Sequence, residues 1–189
     1  MDVLSQRFDS YDVPGESIPS QACYDTCLNA WGEETAPAVD AGGITHSFLR
    51  EPSGRIVQFD PPGAVYGSSP YSINAEGVII GIFMDGVSNE HGYSRSRDRS
   101  FTAFDVPGAA GAEPSTNNAF GEITGDYFDP SNVYHGFLRN RRGDIITFDI
   151  PGAGTDPGEG TFSQGLNDLG TVTGPYCDAV TCHGFVWHR

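Results

Sequence analysis

The sequence predicts an all-β fold: a β-propeller of four repeats, each about 45 residues long and four strands wide. Three observations carry this. The pattern Asp-x-Pro-Gly begins at Asp12, Asp60, Asp105 and Asp149, at steps of 48, 45 and 44 residues. The pattern Asn-x-x-Gly begins at Asn29, Asn74, Asn118 and Asn167, at steps of 45, 44 and 49. A histidine followed by a small residue and an aromatic ring recurs at His46, His91, His135 and His183, at steps of 45, 44 and 48. An aspartate precedes each histidine, at Asp40, Asp85, Asp129 and Asp178. The markers keep one order and divide a single domain, 1–189, into repeats of approximately 8–55, 56–100, 101–145 and 146–189.

The segments between markers are short, rich in β-branched and aromatic residues, and bounded by turn residues, which is strand chemistry. Ile145 to Asp149 alternates and ends at Pro-Gly; Tyr71 to Asn74, Val78 to Met84 and His91 to Arg95 read as three further strands. No segment sustains the apolar spacing of a helix. A tight connection, Asn140 to Asp144, makes the strand before each Asp-x-Pro-Gly the hairpin partner of the His strand. The chain therefore opens on a lone outer strand, Phe8 to Asp12, and closes on a lone His strand, His183 to His188. The expectation is that the first completes the last blade and closes the ring, which removes open edges. The alternative is half of an eight-bladed ring made by two chains, and hence a homodimer.

The run Gly165-Leu166-Asn167-Asp168-Leu169-Gly170-Thr171-Val172-Thr173-Gly174, followed by His183-Gly184-Phe185-Val186-Trp187, resembles the bacterial extracellular HAF-type repeat. The resemblance spans the whole chain in four units. It departs in having Ser or Gly, never Ala, after the histidine, and Arg50, Arg95 and Arg139 where the last unit has Trp187. It implies secretion and a propeller-like fold, and no particular activity.

Charge excludes several functions. All 10 basic residues are arginines, set against 25 acids, for a net charge of −15. Without lysine there is no Schiff base and no P-loop. An acidic chain lacks the footprint for nucleic acid or an anionic membrane surface, and no apolar run is long enough to insert in a membrane. The cysteines fall in two local pairs, Cys23/Cys27 and Cys177/Cys182, read as disulfides in an oxidising, extracellular location.

Residues present in every repeat read as scaffold. The Asp40/His46, Asp85/His91, Asp129/His135 and Asp178/His183 pairs and the four asparagines are therefore assigned to turns and hairpins. Function is expected where repeats differ. The loops entering the innermost strands present Tyr24, Tyr66, Tyr71, Asn117, Phe162 and Gln164, and Trp31 breaks the pattern nearby. Tyrosines with amides suit a glycan, because rings stack on sugar C–H faces and amides bond hydroxyls. A glycan or another small ligand is the expected partner. A hydrolase or lyase acting on a polysaccharide or lactone is the second reading, with Glu33, Glu34 and Asp126 as catalytic candidates; a structural or assembly module is the third. No cofactor is required, although Asp156 and Glu159 offer oxygen ligands of the kind Ca²⁺ takes.

Overall fold

The computed structural model of the chain describes residues 10–18 and 27–189. These form strands and, among the described residues, no helix. The first unit holds β1 (Glu16–Ile18), β2 (Glu34–Asp40), β3 (Thr45–Arg50) and β4 (Ile56–Phe59). The second holds β5 (Ser68–Ile73), β6 (Ile79–Met84), β7 (Glu90–Arg95) and β8 (Phe101–Phe104). The third holds β9 (Gly111–Asn117), β10 (Ile123–Phe128), β11 (Tyr134–Arg139) and β12 (Ile145–Phe148). In the fourth the innermost strand is split into β13 (Gly160–Thr161) and β14 (Gly165–Leu166), followed by β15 (Val172–Cys177) and β16 (Cys182–Trp187). Every unit is an antiparallel meander in chain order. One parallel bridge, Tyr134 to Gly160, links the third unit to the fourth.

The core is distributed between neighbouring sheets. Phe59 and Ile73 join Ile79, Phe83 and Tyr93 between the first and second units. Ile80, Phe104 and Val106 meet Ala112, Ile123 and Phe137 between the second and third. Leu138, Val172 and Phe185 pack between the third and fourth. Stability thus comes from successive interfaces, as in other repeat architectures.

The Asn-x-x-Gly marker stitches the units together. Each asparagine Oδ1 accepts the backbone N–H groups two and four residues on, as Asn74 does from Glu76 and Val78 at 3.0 and 2.9 Å. Its Nδ2 then donates to the backbone carbonyl of the next unit's asparagine: Asn29 to Asn74 at 3.2 Å, Asn74 to Asn118 at 2.7 Å, Asn118 to Asn167 at 3.1 Å. The turn role was expected; the bond between units was not.

A second device repeats at the outer edge. The ring that ends each described outer strand, and Tyr11 ahead of the first unit, lies against the His strand of the next unit. Arg50 sits 4.7 Å over Tyr11, Arg95 4.6 Å over Phe59 and Arg139 5.0 Å over Phe104. Trp187 takes the arginine's place, stacked on Phe148 at 4.4 Å. Tyr11 and the buried Val13 therefore dock on the first unit, where Val13 packs with Ala38 and Phe48.

The strand expected to close the ring, Phe8 to Asp12, falls partly outside the described residues. Among the described residues β16 pairs only with β15, so the fourth unit carries no outer strand; Phe8 lies outside the described residues. The rings of Phe104 and Phe148 cover Gly92 and Gly136, whereas among the described residues no atom lies over the equivalent Gly184.

Asn74 is buried and its side chain serves two turns, whereas Asn167 is exposed and its side chain, among the described residues, bonds only its own turn. Asn74→Ala should therefore cost about 2–4 kcal/mol, since an unmet buried donor or acceptor costs about 1–3 kcal/mol. Asn167→Ala should cost about 1 kcal/mol, one exposed turn's worth of hydrogen bonds. Urea denaturation midpoints of the two variants test the difference.

Candidate functional site

The ends of the strands separate two faces. One carries the Asn turns and the hairpins between third and fourth strands, and every described arginine lies there, from Arg50 to Arg189. The other carries the His–Asp clusters and the loops that enter the innermost strands.

On the second face a cavity of about 610 Å³ is lined by Tyr71, Glu113, Ser115, Asp126, Tyr134, Phe162 and Gln164. The repeat explains how these side chains converge. Tyr71, Ser115 and Gln164 each stand three residues before a marker asparagine. The strand register skips Tyr71 between Pro70 and Ser72, and Ser115 between Pro114 and Thr116, so both are bulged. A glycine on the second strand makes room for each inner strand. A Cβ on Gly81, Gly125 or Gly174 would collide with the carbonyl oxygen of Ser69, Glu113 or Phe162. Bulges re-aim side chains in this way at functional sites.

Asp126 is the unit-specific feature. It is 7% exposed and opposes Gly136 across β10–β11, the register position held by Pro37, Ile82 and Pro175 in the other units. Across β9–β10 it directly opposes Glu113. Like charges on opposed positions destabilise a sheet. The phenol of Tyr134 is pushed above its ordinary value by burial and then by the carboxylates of Glu113, Asp126 and Glu90. Glu90, just behind, is raised by burial and by Glu113. Tyr134 lies against Phe162, ring centres 4.6 Å apart. The site thus combines acids, a protonated phenol and apolar ring faces.

Of the residues singled out from sequence, the structure brings Tyr71, Asp126, Phe162 and Gln164 together. Tyr66 is exposed in its loop and lines none of this cavity. Asn117 is a buried tie, accepting from Ser72 Oγ at 3.0 Å and donating to the Val78 carbonyl at 3.0 Å. Trp31 and Glu33 stand on the arginine face: the indole donates to the Ala75 carbonyl and Glu33 pairs with Arg97 at 3.0 Å. Glu34 opposes Arg50 at the same end of β2. The structure does not bring these three to the cavity of Asp126, because they lie at the start of the second strand whereas Asp126 lies past its middle. Tyr24 and Cys23 lie outside the described residues. Sequence reasoning missed Glu113, Ser115 and Tyr134. Repeat phase would have exposed them: Glu113 holds the position of Ser69 and Phe162, and Tyr134 that of Thr45, Glu90 and Cys182.

The four His–Asp pairs stand at the hairpins between second and third strands. Each aspartate caps its own hairpin, as Asp85 does for Val87 and Asn89. Three histidines also bond the Asp-x-Pro-Gly acid of the same unit: His46 to Asp60 at 2.9 Å, His91 to Asp105 and His135 to Asp149 at 2.7 Å. Among the described residues His183 has one acidic neighbour, Asp178 at 3.9 Å. Among the described residues no three His, Cys, Asp or Glu side chains converge as a metal site; Asp156 and Glu159 instead close their own loop. Cys177 and Cys182 form a disulfide, and Cys27 is also disulfide-bonded.

No family model and no curated protein sequence matches the chain. Solved structures share the fold. A structure described as streptogramin B lyase superposes with a TM-score of 0.54 at 16% identity, covering 90% of this chain and 56% of that one. The inactive H270A virginiamycin B lyase of Staphylococcus aureus, with quinupristin, gives a TM-score of 0.57 at 16% identity, covering 97% and 60%. The chain thus spans somewhat more than half the length of these propeller-type lyases.

The His–Asp clusters make stability depend on pH. Burial opposes charge on His46, but Asp60 and Asp40 outweigh it; Asp105, with Asp85, outweighs burial at His91; both imidazoles are raised. Their contribution is complete below the unfolded value of about 6.5 and is lost as pH rises through the folded values. Asp85 is lowered to about 2 by backbone N–H groups of Asn89 and Val87, so its contribution is lost only as pH falls through about 2. Denaturation midpoints should peak between about pH 4 and 6 and decline towards pH 8. His91→Gln should flatten the alkaline limb.

Proposed function

We propose that the chain is an extracellular ligand-binding propeller segment whose cavity between β5, β9, β10 and the split inner strand of the fourth unit takes a polyhydroxylated, glycan-type ligand. The observation that carries this is the opposed pair Glu113 and Asp126 inside a ring-lined cavity. Carboxylates, Gln164 and Ser115 match the hydroxyls of a sugar, and Tyr71, Tyr134 and Phe162 offer the faces on which its C–H groups stack. The absence of described arginines from this face favours neutral or basic sugars over acidic ones. A disulfide fits an oxidising location, and no described helix is long and apolar enough to cross a membrane.

The shared fold with streptogramin B lyases favours a second reading, elimination at the same cavity. There Asp126 or Glu113 takes a proton from carbon, a double bond forms, and the leaving oxygen departs with the bonding pair. Tyr134, whose phenol holds its proton more tightly than usual, supplies that oxygen with a proton.

Two measurements on one variant separate the readings. Calorimetry against neutral and amino-sugar oligosaccharides should give saturable binding that Asp126→Asn weakens at least tenfold. No binding by the native chain sinks the glycan reading. Incubation with a streptogramin B antibiotic, followed by mass spectrometry, should yield an elimination product, lost in Asp126→Asn, only if the lyase reading holds.

A further inference from the structure

The geometry points to a second ligand site on the opposite face: an oxyanion pocket between the first and second units, built by Arg95 and Arg99 with Arg97 at its rim. The pocket, of about 390 Å³, is walled by Leu49, Val57 and Ile73 and opens beside the three arginines.

Arg95 is the first observation. It is 4% exposed, and among the described residues its Nε is buried without a hydrogen-bond partner, as are those of its repeat equivalents Arg50 and Arg139; Arg95 alone of the three has a second arginine, Arg99, beside it in a pocket. Among the described residues its ring contact is with Phe59, and no carboxylate there pairs with it. A buried guanidinium without an anion is a costly arrangement, because charge taken out of water must be paired.

Arg99 is the second, independent observation. It occupies the hairpin position that Gly54 and Gly143 hold in the first and third units, each donating its N–H across the same turn. Those glycines have φ of 85° and 96°; Arg99 is forced to 72°, in the left-handed region that disfavours a side chain. The sequence gives up the fitting glycine and sets a cation beside one already buried. Backbone strain and like-charge repulsion at one spot are local costs that an anionic ligand would offset.

The acids that face the pocket are already engaged. Glu33 accepts from Arg97 at 3.0 Å and from Asn29 at 2.7 Å. Glu51 accepts from Arg55 at 3.2 Å. Asp98, within the hairpin, caps Ser100. This leaves Arg95 and Arg99 to bind, and their forked donors suit the oxygens of a carboxylate, sulfate or phosphate group. The inference is independent of the acidic cavity on the other face.

The test follows thermal unfolding of the whole chain titrated with acetate, sulfate or phosphate at constant ionic strength. At least one oxyanion should raise the melting temperature saturably, and which one does so identifies the group bound. Arg99→Gly should weaken that response at least tenfold, while melting higher than the native chain in chloride alone. Arg141→Ala, on a different hairpin, should leave the affinity within twofold. The site is overturned if no oxyanion gives a saturable response, if Arg99→Gly retains the native affinity, or if Arg141→Ala loses as much. Because glycine is the residue this turn favours, failure to fold does not confound the central variant.

Discussion

The asparagine ladder is the constraint on which the rest of the molecule hangs. One side chain closes a turn in its own unit with its oxygen and fixes the next unit's turn with its nitrogen. Because the acceptor is the backbone carbonyl of the next asparagine, each turn is held at a set distance from the one before. That sets how closely the inner strands approach. Substituting aspartate would keep the acceptor and lose the donor, so the choice of asparagine over aspartate belongs to the link between units. The His hairpins use aspartate because they have no such link to make.

Fixing the inner ends of the sheets has a consequence for charge. Second and third strands of nearly equal length in a common register send all Asn turns to one face and all His–Asp hairpins to the other. The arginines end third strands or sit in the hairpins just beyond, so the register delivers them to the Asn face. The net charge of −15 is therefore a poor guide to either surface. One face is acidic with no described arginine; the other mixes arginines with acids, many in pairs. Arguments from net charge about partners hold for the acidic face and fail locally at the other.

Most of the fold was legible because the repeat shows the same physics four times. Asp-x-Pro-Gly, Asn-x-x-Gly and the His strand each specify a turn or a hairpin, and their order gives the meander. Ring closure was not legible, since it depends on whether Tyr11 docks on the first unit, on β16, or between them, and strand chemistry is alike in each case. Half of the candidate site was legible. Tyr71, Phe162, Gln164 and Asp126 were visible as departures from the repeat, but which departures share a face depends on bulges. Tyr71 and Ser115 turn into the cavity because glycines on the second strands let the inner strands buckle. Trp31 and Glu33 depart just as visibly and sit at the far end of the sheets, tied to Ala75 and Arg97.

The departures that remain after packing is accounted for have one property in common: each sets a charge where the sibling units have an uncharged residue. Asp126 replaces proline or isoleucine with a buried carboxylate opposite Glu113. Arg99 replaces glycine with a strained side chain beside a buried guanidinium. A repeat protein offers its own control for such substitutions, because the sibling units show the residue that the local backbone accepts without strain. Trp187 in place of arginine passes that test, since it stacks on Phe148 as the arginines do on their rings, and nothing further need be asked of it. Asp126 and Arg99 fail it, on opposite faces and with opposite charge. A fold stabilised by many modest interfaces can carry a few such local costs. Binding at each position, as proposed above, would offset those costs.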